Sequence, residues 1–406
     1  MLWRGPVLER TSAGRELPDG LQRILLSTWL RVLLGATSTV IFVVVAAAAL
    51  VGDDHVLQNI APTFVWVVFW VGLVPCVVLF GNLWAVLSPF RAIADAVAWA
   101  AARLGLHWRP EAYPDRLGRW PAVFLLLAFV SMELAYESPS DPRVLALAIY
   151  LYAAITWLGM FVFGRRAWLE GGEAFNVYFG LLGRISPFGI VEGRIVVRPP
   201  LSGLTRLNVL PGTLAFVAVM LGSVGFDSVG RTSFWLDLQV RLEGEAARTA
   251  VAFAGLVGTI LAVALAYLGA VAAARALTGH TGEGLAAAFV ASLVPIALVY
   301  VLAHYFSLLI LQGQYLIPLV SDPFGRGWDL LGTAGFRPNL SVLTPNVVWY
   351  AQVAALVAGH VAGLALAHDR AVGLFERRGY ATRSQYAMLV LMVLYTVGGL
   401  RLLSTS

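Results

Sequence analysis

Stretches of apolar residues long enough to cross a bilayer as helices recur along this chain, at 30–51, 62–88, 119–137, 142–164, 208–226, 249–274, 285–319, 347–369 and 385–403. About twenty such residues, rising 1.5 Å each, cover a hydrocarbon core of ~30 Å. Inside that core only helices and closed barrels satisfy their own backbone polar groups. The chain therefore reads as an all-α polytopic membrane protein of about nine transmembrane helices, one integral membrane domain over residues 1–406. Composition agrees, with 59% hydrophobic and 13% charged residues and a mean hydropathy of +0.79, far more apolar than a soluble domain. The seventh stretch is the longest and is expected to be interrupted at Pro295.

All 28 basic residues are arginine. A chain without lysine cannot form a retinal or pyridoxal Schiff base and has no P-loop. The single cysteine, Cys76, excludes an intrachain disulfide and a cysteine-based zinc site. The net charge of +5 is not a nucleic-acid signal, because the arginines collect at the ends of spans. On alternate sides the bias is 21 of 28, which predicts a cytoplasmic N-terminal segment (1–29), an extracytoplasmic C-terminus and an extracytoplasmic loop at 320–346. Residues 91–99 and 167–179 mix apolar and charged positions as interfacial helices do. Residues 190–200 alternate as a short hairpin or an extended strap would. The loop at 320–346, rich in Pro, Gly and aromatic residues, is expected to cap the bundle or re-enter it.

Polar residues inside such spans are costly and mark sites. Tyr300, His304, Ser307, Gln314 and Tyr315 fall on one side of the seventh helix, and Gln352, Gly359, His360 and Gly363 on one side of the eighth. Measured from their outer ends, His304 lies about 24 Å in and His360 about 20 Å in. If the helices are neighbours, the two imidazoles can share a ligand, and Gly359 and Gly363 allow the close approach this needs. Glu133 and Glu137 stand at i, i+4 on the third helix, near an outer entrance. The expected site is a polar funnel with Asp322 and Asp329 at the rim, Glu133 and Gln314 below, and His304 and His360 at depth. His368 reads as interfacial; His55, His107 and His280 read as solvated loop residues. Two histidines with carboxylates suit zinc, iron or copper, and two facing histidines suit b-type haem. No HExxH, paired CxxC or GxSxG is present.

Several runs carry a family resemblance: Tyr300, Ala303-His304-Tyr305, Gln312-Gly313-Gln314, Ser321-Asp322-Pro323-Phe324-Gly325 and Gly327-Trp328-Asp329, with Gly81-Asn82-Leu83-Trp84, Gly172-Glu173-Ala174-Phe175 and Ala358-Gly359-His360. Through them the chain resembles a largely actinobacterial family of polytopic membrane proteins commonly labelled fenitrothion hydrolase. The resemblance implies the bacterial cytoplasmic (inner) membrane and metal-assisted hydrolysis of an organophosphate-type ester. It departs from the family pattern at Val301, where members often carry histidine, and at Ala387, where they often carry proline.

These readings define three expected functions. In the first, a hydrolase, His304 and His360 hold a divalent metal while Glu133, Asp322 and Gln314 serve catalysis on a small apolar substrate arriving from lipid. In the second, a transporter of a small solute, ion or proton, the interrupted helix and the funnel form the path. The third is a haem- or metal-binding redox subunit working with membrane protein partners.

Overall fold

The computed structural model describes residue 3 and residues 5–279, 284–375 and 378–405, so His280 lies outside the described residues. A short helix α1 (Val7–Thr11) precedes α2 (Asp19–Leu25) and α3 (Thr28–Val51). Then come α4 (Ile60–Phe80), α5 (Pro89–Arg103), α6 (Trp120–Leu134), α7 (Pro142–Phe163), α8 (Arg165–Gly171), α9 (Ala174–Gly183), α10 (Thr213–Gly230), α11 (Ser233–Val240) and α12 (Glu245–Thr278). The chain closes with α13 (Leu285–Leu319), α14 (Pro345–Leu374) and α15 (Arg378–Thr405). Seven helices among the described residues are long and apolar enough to cross a membrane, the first being Asp19–Val51; α6 is a shorter apolar helix. The protein is an all-α polytopic membrane protein, and every apolar stretch of the sequence falls on one of these helices.

Local chemistry explains the irregular spans. In α13 the backbone tightens to a 3-10 turn at Val290–Leu293, directly before Pro295, and again at Gly313–Tyr315 before Pro318. Proline lacks the N–H and crowds the carbonyl four residues back, so each break sits where the α-helical bond is lost. α4 is π-wound from Phe64 to Gly72, a form often found at functional sites. α14 lies against α13 through its two glycines. A Cβ on Gly359 would come within 2.1 Å of Val299 Cγ2, and one on Gly363 within 2.8 Å of the Ser292 carbonyl oxygen. Gly359→Ala is therefore expected to lower stability by about 1–3 kcal/mol. Gly258→Ala, where a Cβ meets nothing within 4 Å, should not; thermal unfolding in detergent compares them.

The expected hairpin is present. Phe188–Val191 (β2) pairs antiparallel with Arg194–Val197 (β3), turning through Glu192 and Gly193 at positive φ, as tight two-residue hairpins require. Arg15–Glu16 (β1) adds to the other edge of β3.

Three expectations are corrected. α9 is not interfacial, since all but two of its ten residues are buried. Its first turn is held by Glu173, whose carboxylate accepts from Phe175 N (3.1 Å) and Asn176 N (2.6 Å). The same carboxylate accepts from Trp84 Nε1 (3.2 Å) and from the Tyr152 hydroxyl. With its cap satisfied inside the protein, the helix can be buried from its first residue. His368 is also buried, not interfacial: Nδ1 meets Gln385 Oε1 at 2.9 Å and Nε2 meets the Trp3 carbonyl at 3.1 Å. Beside it, buried Asp369 accepts from Trp3 Nε1 (2.9 Å), Leu8 N (2.9 Å) and Glu9 N (3.0 Å). The start of the chain thus folds over that end of α14 and takes it out of solvent. Finally, α6 ends at Leu134, so Glu133 and Glu137 do not share a helical face. Glu137 lies beyond the helix and pairs with Arg248 of α12, whose guanidinium holds its carboxyl below the ordinary value.

Candidate functional site

The polar residues predicted from sequence divide into two groups. Asp322 and Gln314 organise the loop that follows α13. Asp322 Oδ1 accepts from Arg326 N (2.9 Å), and Oδ2 accepts from Gly327 N (2.6 Å) and Trp328 N (3.1 Å). Gln314 Nε2 donates to the Ile310 and Asn339 carbonyls at 3.1 and 3.0 Å, while its Oε1 accepts from Asn339 N at 2.9 Å. Asp329 likewise accepts from Ala334 N at 3.0 Å. With these side chains and Ser321 Oγ, which accepts from Leu331 N and Thr333 N, the segment satisfies its own backbone without regular structure.

His304 and Glu133 belong to the second group, and what joins them was missed in the sequence. His304 Nε2 lies 2.5 Å from Oδ2 of Asp227, a residue of α10 whose other carboxylate oxygen is 3.4 Å from Arg231 Nε. The hydroxyl of Tyr305, the residue after His304, donates to Glu133 Oε1 at 2.9 Å and is also within reach of Asp227. Adjacent residues on α13 thereby connect acidic side chains of α6 and α10. The 3.6-residue turn allows this: neighbours diverge by about 100°, enough to meet two different helices.

Exposure grades along this cluster. Arg231 is 56% exposed, Asp227 14%, and His304 4%. Access from water therefore runs past Arg231 to Asp227 and stops at the imidazole and the tyrosine. Around Glu133 the wall is aromatic. Trp70, from the π-wound part of α4, packs against Tyr178 of α9 with ring centroids 4.8 Å apart and against Phe129 of α6 at 4.9 Å. Trp70 Nε1 and Tyr178 Oη are buried and form no hydrogen bond of good geometry, although both lie near the Glu133 carboxyl. Two donors left open next to a buried carboxyl form a setting in which charge or a proton can be accommodated.

His360 sits apart in its contacts. Its Nδ1 meets the Leu356 carbonyl one turn back at 2.7 Å, and its ring stands edge-on to Tyr300, centroids 6.0 Å apart. Tyr300 in turn donates to the Tyr395 carbonyl of α15 at 2.6 Å. The two imidazoles expected to converge are engaged with different partners, His304 with α10 and His360 with its own helix and Tyr300. Among the described residues no group of three or more His, Cys, Asp and Glu side chains is placed to hold a metal.

Asp227 leaves one signal in the sequence: it is a carboxylate directly after the apolar stretch 208–226. An acidic residue at a span end lowers the local hydropathy and so removes itself from the window meant to find it.

No protein-family model, no curated protein and no solved structure matches this chain.

Proposed function

We propose that the protein moves protons through the membrane, with Asp227, His304, Tyr305 and Glu133 as the groups that bind and pass them. One observation carries this reading: two adjacent residues of α13, His304 against Asp227 of α10 and Tyr305 against Glu133 of α6, gather two carboxyl groups, an imidazole and a phenol inside a bundle of membrane-length helices. Intramembrane ionisable groups are kept where they serve ion or proton pathways, because each is costly to bury.

The chemistry follows from the groups. Asp227, more exposed than His304 and beside the half-exposed Arg231, is the group at which a proton enters. His304 Nε2 shares that proton across the short contact. The Tyr305 hydroxyl can accept from one carboxyl while donating to the other, so a proton taken at Asp227 is delivered to Glu133 without charge separation on the tyrosine. The arginine bias puts the Arg231 end outside, which makes Asp227 the extracytoplasmic port.

The hydrolase reading implied by the family resemblance rests on a metal between His304 and His360. The donor set is too small for one: His304 Nε2 already faces Asp227 at 2.5 Å, His360 keeps only its buried Nε2 open, and among the described residues no group of three or more such side chains is placed to hold a metal. A zinc-type site needs at least three protein ligands, and a bis-histidine haem needs two free ring nitrogens facing each other.

The test is proton uptake into liposomes carrying the reconstituted protein and an internal pH-sensitive dye, driven by an imposed membrane potential. Uptake well above protein-free liposomes, reduced in His304→Gln, is the expected result. Uptake equal to protein-free liposomes would overturn the proposal. Stoichiometric bound metal that is lost in His304→Ala would return the hydrolase reading.

A further inference from the structure

A second feature stands independently of the proton path. Between α3, α4, α6 and α7 lies a cavity of about 480 Å³ whose wall is almost wholly apolar. It follows α3 from Leu34 to Val45, about 16 Å along the helix axis. Its inner wall is made by buried residues such as Val65 and Leu145, with Phe175 of α9 closing the back. At its rim stand Thr37 and Ile41 of α3 and Leu151 of α7, which are exposed on the outside of the bundle. The opening therefore lies between α3 and α7. The outward faces of both are strongly apolar, with Val40, Val43 and Leu50 on one and Leu147 and Leu158 on the other all more than half exposed. That is the face a bilayer covers.

Apart from Thr37 at the rim, the hydroxyl and indole groups in the wall are already engaged. Ser38 Oγ donates to the Gly35 carbonyl at 3.0 Å, and both Trp84 Nε1 and the Tyr152 hydroxyl donate to Glu173. Nothing in that trio is left to orient a polar ligand, which selects against a hydrophilic solute and for hydrocarbon. A large apolar cavity does not recruit water, and its walls lose dispersion contacts unless something fills it. In a membrane the filler at hand is the hydrocarbon of the bilayer.

We infer that this cavity is a binding site for one aliphatic chain of a membrane lipid, admitted sideways between α3 and α7. The chain lies along α3, with the lipid headgroup left outside the bundle. Its length sets the specificity: a tail that extends about 16 Å fills the cavity.

The experiment uses the full chain in bilayers that contain phosphatidylcholine with a photoactivatable diazirine near the end of one acyl chain. After illumination, adducts are mapped by peptide mass spectrometry. The expected result is labelling of the inner-wall residues Val65, Leu145 and Phe175, falling at least five-fold in Ala148→Phe and in Ala128→Phe, which place a ring in the cavity. Labelling of Leu265, on the lipid-facing side of α12, should stay unchanged and shows that each variant is folded and inserted. Adducts confined to outward-facing residues such as Leu147 and Leu265 would overturn the inference. So would inner-wall labelling that persists in both folded variants.

Discussion

Asp227→Asn is expected to lower potential-driven proton uptake by roughly 10²-fold or more, the usual range for loss of a positioned proton-transfer group. Asparagine is nearly isosteric and can keep hydrogen bonds to His304 and Arg231, so helix α10 should keep its place. What it cannot do is release a proton near neutral pH. Uptake should fall while the unfolding temperature in detergent moves little, and that split separates transfer from structure. Glu133→Gln should lower uptake as well, since it is the group to which Tyr305 donates. Tyr305→Phe removes the hydroxyl between the two carboxyl groups and should resemble Glu133→Gln. Wild-type rates in both carboxyl variants would show that the cluster only packs the bundle.

Glu173→Ala is expected to destabilise the protein by about 3–5 kcal/mol, the range for removing one partner of a buried hydrogen-bonded charged group. The loss strands four donors at once: two backbone N–H groups at the start of α9, the Trp84 indole and the Tyr152 hydroxyl. Each buried donor left without a partner costs its desolvation. Unfolding followed by the tryptophan signal in detergent, with Trp84 itself a reporter, gives the shift. A change below 1 kcal/mol would mean that water reaches the site and replaces the carboxylate.

These two residues mark the limits of reading by hydropathy. The membrane class and the break before Pro295 were legible because each is a property of one segment, enough apolar length or a missing backbone donor; of the nine spans expected, seven are long and apolar enough to cross among the described residues. The close approach at Gly359 and Gly363 was legible too, since a helix face without side chains constrains whichever neighbour arrives. The candidate site was legible in half. His304 and Glu133 stood out as polar groups in apolar runs, but depth along an axis says nothing about the direction in which a ring points. His360 has a depth close to that of His304, and its contacts lead to Tyr300. Asp322 and Gln314 looked equally polar and are used to tie a loop together.

By itself the sequence determined that this chain spans a membrane as helices, since the free energy of burying a backbone in hydrocarbon depends on composition and length alone. Tertiary structure alone decided which helices are neighbours, and through them that His304 meets Asp227, that Tyr305 meets Glu133, and that α9 is buried behind its Glu173 cap. Those pairings are contacts between residues far apart in the chain. They arise from the packing of whole helix surfaces, and no window along the sequence contains both partners.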